Sequence, residues 1–188
     1  MRGNIMAPVQ YLALLRGINV GGGNIIRMAD LKECFEEVGF AAVATYIQSG
    51  NVLFRSEEKD AVRVVNRIER TLSVRFAYAS RVVLRTHKQL AHIVEHAPRG
   101  FGKAPDKYRY DVIFVKEPLT ETEAMKSVST KPGVDTAHKG KGVLYFSRLT
   151  SKAGQSRLTR IVGLPVYKHL TLRNWNTTTR LLALMDKA

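Results

Sequence analysis

The spacing of apolar positions along the chain switches between two periods, and each switch marks an element. Tyr11 to Leu15 is an unbroken apolar run, which predicts a strand buried on both faces. From Met28 onward, Met28, Leu31, Phe35 and Val38 recur at helical spacing. Asp30 and Glu33 sit in the first turn of that helix, at the positive end of its dipole, and Gly39 stands just past its end. Ala42 to Gln48 and Asn51 to Arg55 predict two strands, with Ser49-Gly50 as a two-residue turn between them. Ser56 is the expected cap of a helix from Glu57 to about Val74, whose core stripe is Ala61, Val65, Ile68 and Leu72. Arg81 to Arg85 completes the order β-α-β-β-α-β, a ferredoxin-like unit.

The second half repeats that order without visible residue identity. Thr86 predicts the cap of a connecting helix through Ala97, ended by Pro98. The stretch 98–107, PRGFGKAPDK, has linker composition. Tyr108 to Lys116 resumes as a strand, and Thr120 with Glu123 forms a capping box opening a short helix. Val134 to His138 and Val143 to Ser147 flank the glycine-rich hairpin Lys139 to Gly142. Ser156 to Val162 predicts a helix stopped by Gly163 and Pro165, and Lys168 to Leu172 a last strand. A final helix carries Leu181, Leu182 and Met185 as its apolar stripe. The expected fold class is therefore α+β, a duplication of two ferredoxin-like βαββαβ subdomains with a connecting helix and a C-terminal helix. The boundaries expected are residues 1–86, 87–107 and 108–188.

Charge changes this picture more than overall composition does. Thirty Lys and Arg against 16 Asp and Glu leave a net charge of +14 and a pI near 10.2. Such a surplus favours anionic partners, nucleic acid first. The expected phosphate contacts fall in groups. Arg63, Arg67 and Arg70 share a helix face, and Arg99, Lys103 and Lys107 sit on the linker. Lys139 and Lys141 lie on the second hairpin, with Arg157 and Arg160 on the predicted helix after it. Cys34 is the one cysteine, which excludes an intrachain disulfide and a thiolate metal cluster. No apolar segment approaches the ~20 residues needed to span a bilayer, and Met1 to Pro8 has no signal-peptide pattern. A cytoplasmic protein without membrane association, cofactor or metal is expected. His92, Glu95 and His96 do spell the zinc signature H-x-x-E-H. A third ligand is required, and no later helix carries an evident one.

Two stretches are prone to bind anions. The first is the glycine-rich loop ahead of the Met28 helix, with Arg16, Gly17, Asn19, Gly21, Gly22 and Asn24, together with Gln48, Ser49 and Asn51 of the hairpin. It is not a Walker A loop, because Gly23-Asn24 stand where Lys-Ser/Thr must be, and the spacing G-x-G-x-x-G is absent. The second is Arg173, Asn174, Trp175, Asn176 and Thr177 at the start of the last helix. Trp175 there is either packing material between elements or a platform for a base. The two stretches are expected to lie close together.

R-G-I-N-V-G-G at Arg16 to Gly22, T-Y-I-Q-S-G-N-V at Thr45 to Val52 and R-N-W-N-T at Arg173 to Thr177 resemble the bacterial family called domain of unknown function 1697. The resemblance runs from about Val9 to about Met185. It implies two similar ferredoxin-like subdomains and no established activity, so no catalytic residues carry over. The residues themselves show no nucleophile–base pair. Ser49, Asp111 and His138 are available, with nothing to link them. The leading expectation is electrostatic binding of DNA or RNA without catalysis. The alternative is a small-molecule enzyme or binder, taking a phosphorylated or carboxylated ligand at the glycine loop and the Arg173–Thr177 helix start. An RNA-recognition platform is disfavoured, because the central strands are apolar on both faces and the platform needs one face open.

Overall fold

The computed structural model describes residues 7–19, 25–77 and 79–187. The chain divides into two compact units, Met1–Lys88 with Met185–Ala188, and Gln89–Leu184.

In the first unit, β1 (Val9–Leu15), α1 (Met28–Glu37), β2 (Ala41–Tyr46), β3 (Asn51–Ser56), α2 (Ala61–Phe76) and β4 (Val82–Thr86) follow one another. The sheet is antiparallel in the order β2-β3-β1-β4. Alternation along the strands sends Tyr11, Ala13, Leu15, Val52, Phe54, Val82 and Leu84 to one face. There they pack with Leu31, Cys34 and Phe35 of α1 and Val64, Ile68 and Leu72 of α2. Phe54 anchors this core, with ring centroids 4.4 Å from Phe40 and 5.4 Å from Phe35. The other face of the sheet is apolar and buried as well, through Leu12, Leu14, Leu53 and Val83.

Three sequence expectations in this unit need correction. Asp60, not Ser56, caps α2: its Oδ1 accepts from the Val62 and Arg63 amides, while Ser56 is the last residue of β3 and its Oγ accepts from Glu58 N. The stripe accordingly shifts to Val64, Ile68 and Leu72, with Ala61 exposed. The turn between β2 and β3 has four residues, Ile47–Gly50, since Tyr46 pairs with Asn51. Ile47 takes φ +48° and Gly50 φ +72°, and the Asn51 amide donates to the Tyr46 carbonyl and to Ser49 Oγ across the loop, both at 2.9 Å. That buried side chain stabilises the longer turn in a way that strand periodicity does not reveal.

In the second unit come α3 (His87–Glu95, which begins in the first), β5 (Tyr108–Val115), α4 (Glu121–Lys126), β6 (Asp135–Gly140), β7 (Val143–Leu149), β8 (Leu170–Asn174) and α5 (Trp175–Met185). The sheet order β6-β7-β5-β8 is the order of the first sheet over again. The helix expected at Ser156–Val162 is replaced by three 3-10 segments, Thr150–Gln155, Leu158–Gly163 and Pro165–His169. Gly154, Gly163 and Pro165, spaced through this stretch, interrupt the i→i−4 ladder before a full helix can propagate. Leu158 and Ile161 nevertheless pack on Ile113, Val115, Leu144 and Phe146 as a helix would. The hairpin closes in two residues, Lys141-Gly142, because β6 runs on to Gly140. A side chain at 140 would meet the Tyr145 ring at 2.4 Å, so the glycine there is a packing requirement.

Gly50 offers a test of the four-residue turn. A Cβ at this position would lie 2.7 Å from Ile18 Cδ1 and 2.9 Å from Leu15 Cβ, at a backbone angle that disfavours side chains. At Gly133, also at positive φ, nothing lies within 4 Å of such a Cβ. Gly50→Ala is expected to cost about 2 kcal/mol or more and Gly133→Ala roughly 1 kcal/mol, read from denaturant midpoints.

Candidate functional site

Within the first unit, Asn19 organises the neck of the glycine-rich loop. At φ +53°, its Nδ2 donates to the carbonyls of Ile26 and Gln48, each at 2.9 Å, and its Oδ1 accepts from Ile26 N at 2.7 Å. The side chain thus mimics a strand partner for Ile26 and ties the neck to the β2–β3 turn. Asn51 is fully buried and spent on its own turn. Gly17 is exposed and Arg16 is half-buried, its amide donating to the Arg81 carbonyl. Gly21, Gly22 and Asn24 lie outside the described residues.

Arg173 to Thr177 lies in the second unit, at the junction of β8 and α5, and each of these two stretches is described within its own unit. The Asn174 carboxamide oxygen accepts from Thr177 N at 2.7 Å, so one donor of the helix start is satisfied from within. Thr178 Oγ1 donates to the Asn174 carbonyl. Arg173 Nη1 donates to the Leu172 carbonyl at 2.8 Å, and desolvation pulls the guanidinium down to about 10, leaving it a cation at neutral pH. Asn176 is exposed. The Trp175 indole rests on Gly102, where a Cβ would come within 2.2 Å of Nε1, and meets Phe101 edge-on at 5.1 Å.

The basic residues fall into two kinds. In the first unit, Arg63 lies 3.5 Å from Asp60 and 3.7 Å from Glu58. Arg67 donates to the Val38 carbonyl and covers the Phe40 ring at 5.4 Å, and Arg75 bridges Glu33 and Glu37. Arg70 is exposed. The second unit carries 16 Lys and Arg against 7 Asp and Glu, a surplus of nine, and most of its basic side chains are exposed. They gather at the two ends of the sheet. At one end, Thr150 N donates to the Lys107 carbonyl and Arg109 stands opposite Arg148 in the register, which brings the backbone of Lys107 and Arg109 close to the segment that carries Lys152. At the other end, Val115 N donates to the Gly142 carbonyl and Lys116 N to the His169 carbonyl. The hairpin lysines Lys139 and Lys141, then Lys116 and Lys168, therefore follow one another across strands spaced about 4.8 Å apart. Arg160 is exposed on a 3-10 segment, whereas Arg157 is half-buried with Nη1 donating to the Thr130 carbonyl.

Aromatic rings stand beside the first of these basic groups. Tyr108 and Tyr110 leave β5 on one face with centroids 6.1 Å apart, and Phe101 meets Tyr110 edge-on at 4.8 Å. Neither tyrosine is singled out by sequence as a site residue. The visible signal is their alternation with Lys107 and Arg109.

His92 and His96 stack at 3.8 Å, and His96 Nδ1 lies 3.0 Å from the His92 carbonyl. Among the described residues no group of three His, Cys, Asp or Glu side chains is placed to hold a metal, and no described helix is long and apolar enough to cross a membrane.

Asp111 is an acid of the second unit perturbed by burial. Burial raises its pKa against the opposing pull of Arg148, 3.2 Å away, and of Arg109. Its carboxyl is expected to titrate above the ordinary value near ~3.9 in a pH series of side-chain carboxyl NMR shifts, and higher still in Arg148→Ala. A raised carboxyl pKa weakens the fold as pH rises through the unfolded and then the folded value, so the contribution of Asp111 to stability is greatest below about pH 4.

Residues 9–145 match the family described as protein of unknown function (DUF1697). The structure is similar to that of the conserved bacterial protein SP0830 from Streptococcus pneumoniae, with a TM-score of 0.81 and 26% identity, over 95% of this chain and 99% of that one. Among curated proteins, nothing matches. With its repeated four-stranded sheet and a family match over most of its length, the chain belongs to the DUF1697 family.

Proposed function

We propose that this protein binds nucleic acid, DNA or RNA, by charge and without catalysis, and that its second unit supplies most of the binding surface. The observation that carries this reading is the division of charge. Nine of the 14 surplus positive charges belong to residues 89–184, and several of the exposed ones, Lys107, Arg109, Lys139, Lys141 and Lys168, stand at or next to strand ends. In the first unit Arg27, Arg63 and Arg75 face carboxylates of their own. Lysines following one another across a sheet end suit a backbone of regularly spaced phosphates. Both faces are buried over Leu12–Leu15 of β1 and Val112–Phe114 of β5, which leaves strand ends and loops to meet the ligand.

Affinity for a duplex oligonucleotide, measured by fluorescence anisotropy, is expected to fall with salt at a log–log slope of about −0.9 per neutralised phosphate, and about −0.7 on a single strand. Lys139→Glu with Lys141→Glu, and Lys103→Glu with Lys107→Glu, should each weaken binding and flatten the slope by about 1 for every phosphate no longer neutralised. Arg63→Ala should change little, because Glu58 and Asp60 already meet its charge. Binding that ignores salt, or no binding at low salt, removes the proposal.

A further inference from the structure

We infer that Tyr108 and Tyr110, framed by Lys103 and Lys107, form a base-stacking subsite, and that the ligand is accordingly single-stranded nucleic acid rather than duplex. The inference rests on the nucleic-acid reading above and narrows its partner.

Successive side chains of a strand point to opposite faces, so positions 108 and 110 share one. Their rings lie 6.1 Å apart at an interplanar angle of 42°, and both residues are half-exposed although they continue a strand whose next residues are fully buried. Tyr110 is buttressed from one side. Phe101 packs edge-on against Tyr110 at 4.8 Å, against Tyr145 at 5.3 Å and against Trp175 at 5.1 Å. Tyr145, fully buried, donates from its hydroxyl to the Ile93 carbonyl at 2.6 Å. The linker is folded onto the same place. Ala104 N donates to the Tyr110 hydroxyl at 3.3 Å, and the Ala104 carbonyl accepts from Lys107 N and Tyr108 N. These bonds place the backbone of Lys103 and Lys107, both exposed residues, next to the start of β5 that carries the two rings.

Aromatic faces next to fixed cations are what a single strand requires: bases stack on the rings while phosphates meet the ammonium groups. A duplex keeps its bases stacked on one another and can use only the cations. Farther along the strands Val112, Phe114, Val143 and Tyr145 are buried, which restricts stacking to the half-exposed start of β5.

The test compares oligodeoxythymidylate with inorganic polyphosphate, which carries phosphates and no bases. Tyr108→Ala is expected to weaken oligodeoxythymidylate binding roughly 5- to 100-fold and to leave polyphosphate binding unchanged, with Tyr108→Trp restoring affinity. Trp175, the chain's one tryptophan, serves as a fluorescence reporter of the aromatic cluster in the same titrations. Equal losses for both ligands in Tyr108→Ala would mean that the ring only supports the fold, and would overturn the inference. So would unchanged oligodeoxythymidylate binding in Tyr108→Ala when Lys103→Glu with Lys107→Glu weakens both ligands, an outcome that leaves charge-driven binding standing. Failure of the unaltered protein to bind either ligand at low salt would instead overturn the nucleic-acid reading, and this inference with it.

Discussion

The central strands β1 and β5 carry the constraint on which the rest depends. Each is hydrogen-bonded on both edges, β1 between β3 and β4 and β5 between β7 and β8. Each is also buried on both faces, with Leu12 to Leu15 and Val112 to Phe114 at 0–1% exposure. Over these residues the strands have no backbone group to offer a partner and no side chain facing water, and the start of β5, Tyr108 to Asp111, leaves that enclosure. Both sheets are closed at the corresponding end by the same pair of backbone bonds, Leu15 to Gly50 and Arg16 to Arg81 in one, Val115 to Gly142 and Lys116 to His169 in the other. What this fold can show to another molecule is displaced to strand ends, turns and linkers.

The two units have used that freedom differently. In the first, Asn19 after β1 is hydrogen-bonded to Ile26 ahead of α1, while the helix surfaces pair arginine with carboxylate. Such exposed pairs add little stability, typically about 0–1 kcal/mol, but they quench the local field. In the second, the loop after β5 is short, the hairpin closes in two residues, and lysines occupy the positions so exposed. The duplicated scaffold is the same; the field around it is not. That asymmetry, more than total charge, distinguishes the two units.

Short polar side chains, buried or not, serve mainly to hold turns in place. Asp135, 6% exposed, accepts from Lys131 N and Arg157 N through Oδ2 and so fastens two connections to the start of β6. Asn174 secures the start of α5, and Asn19 and Asn51 secure the first unit's loops. Several residues that look ligand-like in sequence are thus consumed by backbone hydrogen bonds, which a short asparagine side chain makes as readily as it would bind an anion.

Element order was legible in the sequence because apolar periodicity is a local property. The runs at Tyr11 and Tyr108, the helix at Met28 and the capping box at Thr120 all stand where the chain spacing put them. The repeat of the sheet was legible for the same reason. Where two local signals competed, folding decided: Asp60 over Ser56 as cap, four residues over two in the first turn, 3-10 segments in place of a helix after β7. Each outcome depends on a partner distant in sequence or on a loop's own hydrogen bonds. Glycine at 102 and at 140 has no reason in the sequence, and its reason is a ring, that of Trp175 or Tyr145, brought within 2.4 Å of where a Cβ would sit. Net charge could be counted from composition alone. Which arginines are neutralised by a neighbouring carboxylate, and which lysines stand together at a sheet end beside two tyrosines, followed only from strand register, because electrostatic and stacking interactions depend on distance in space and not on position along the chain.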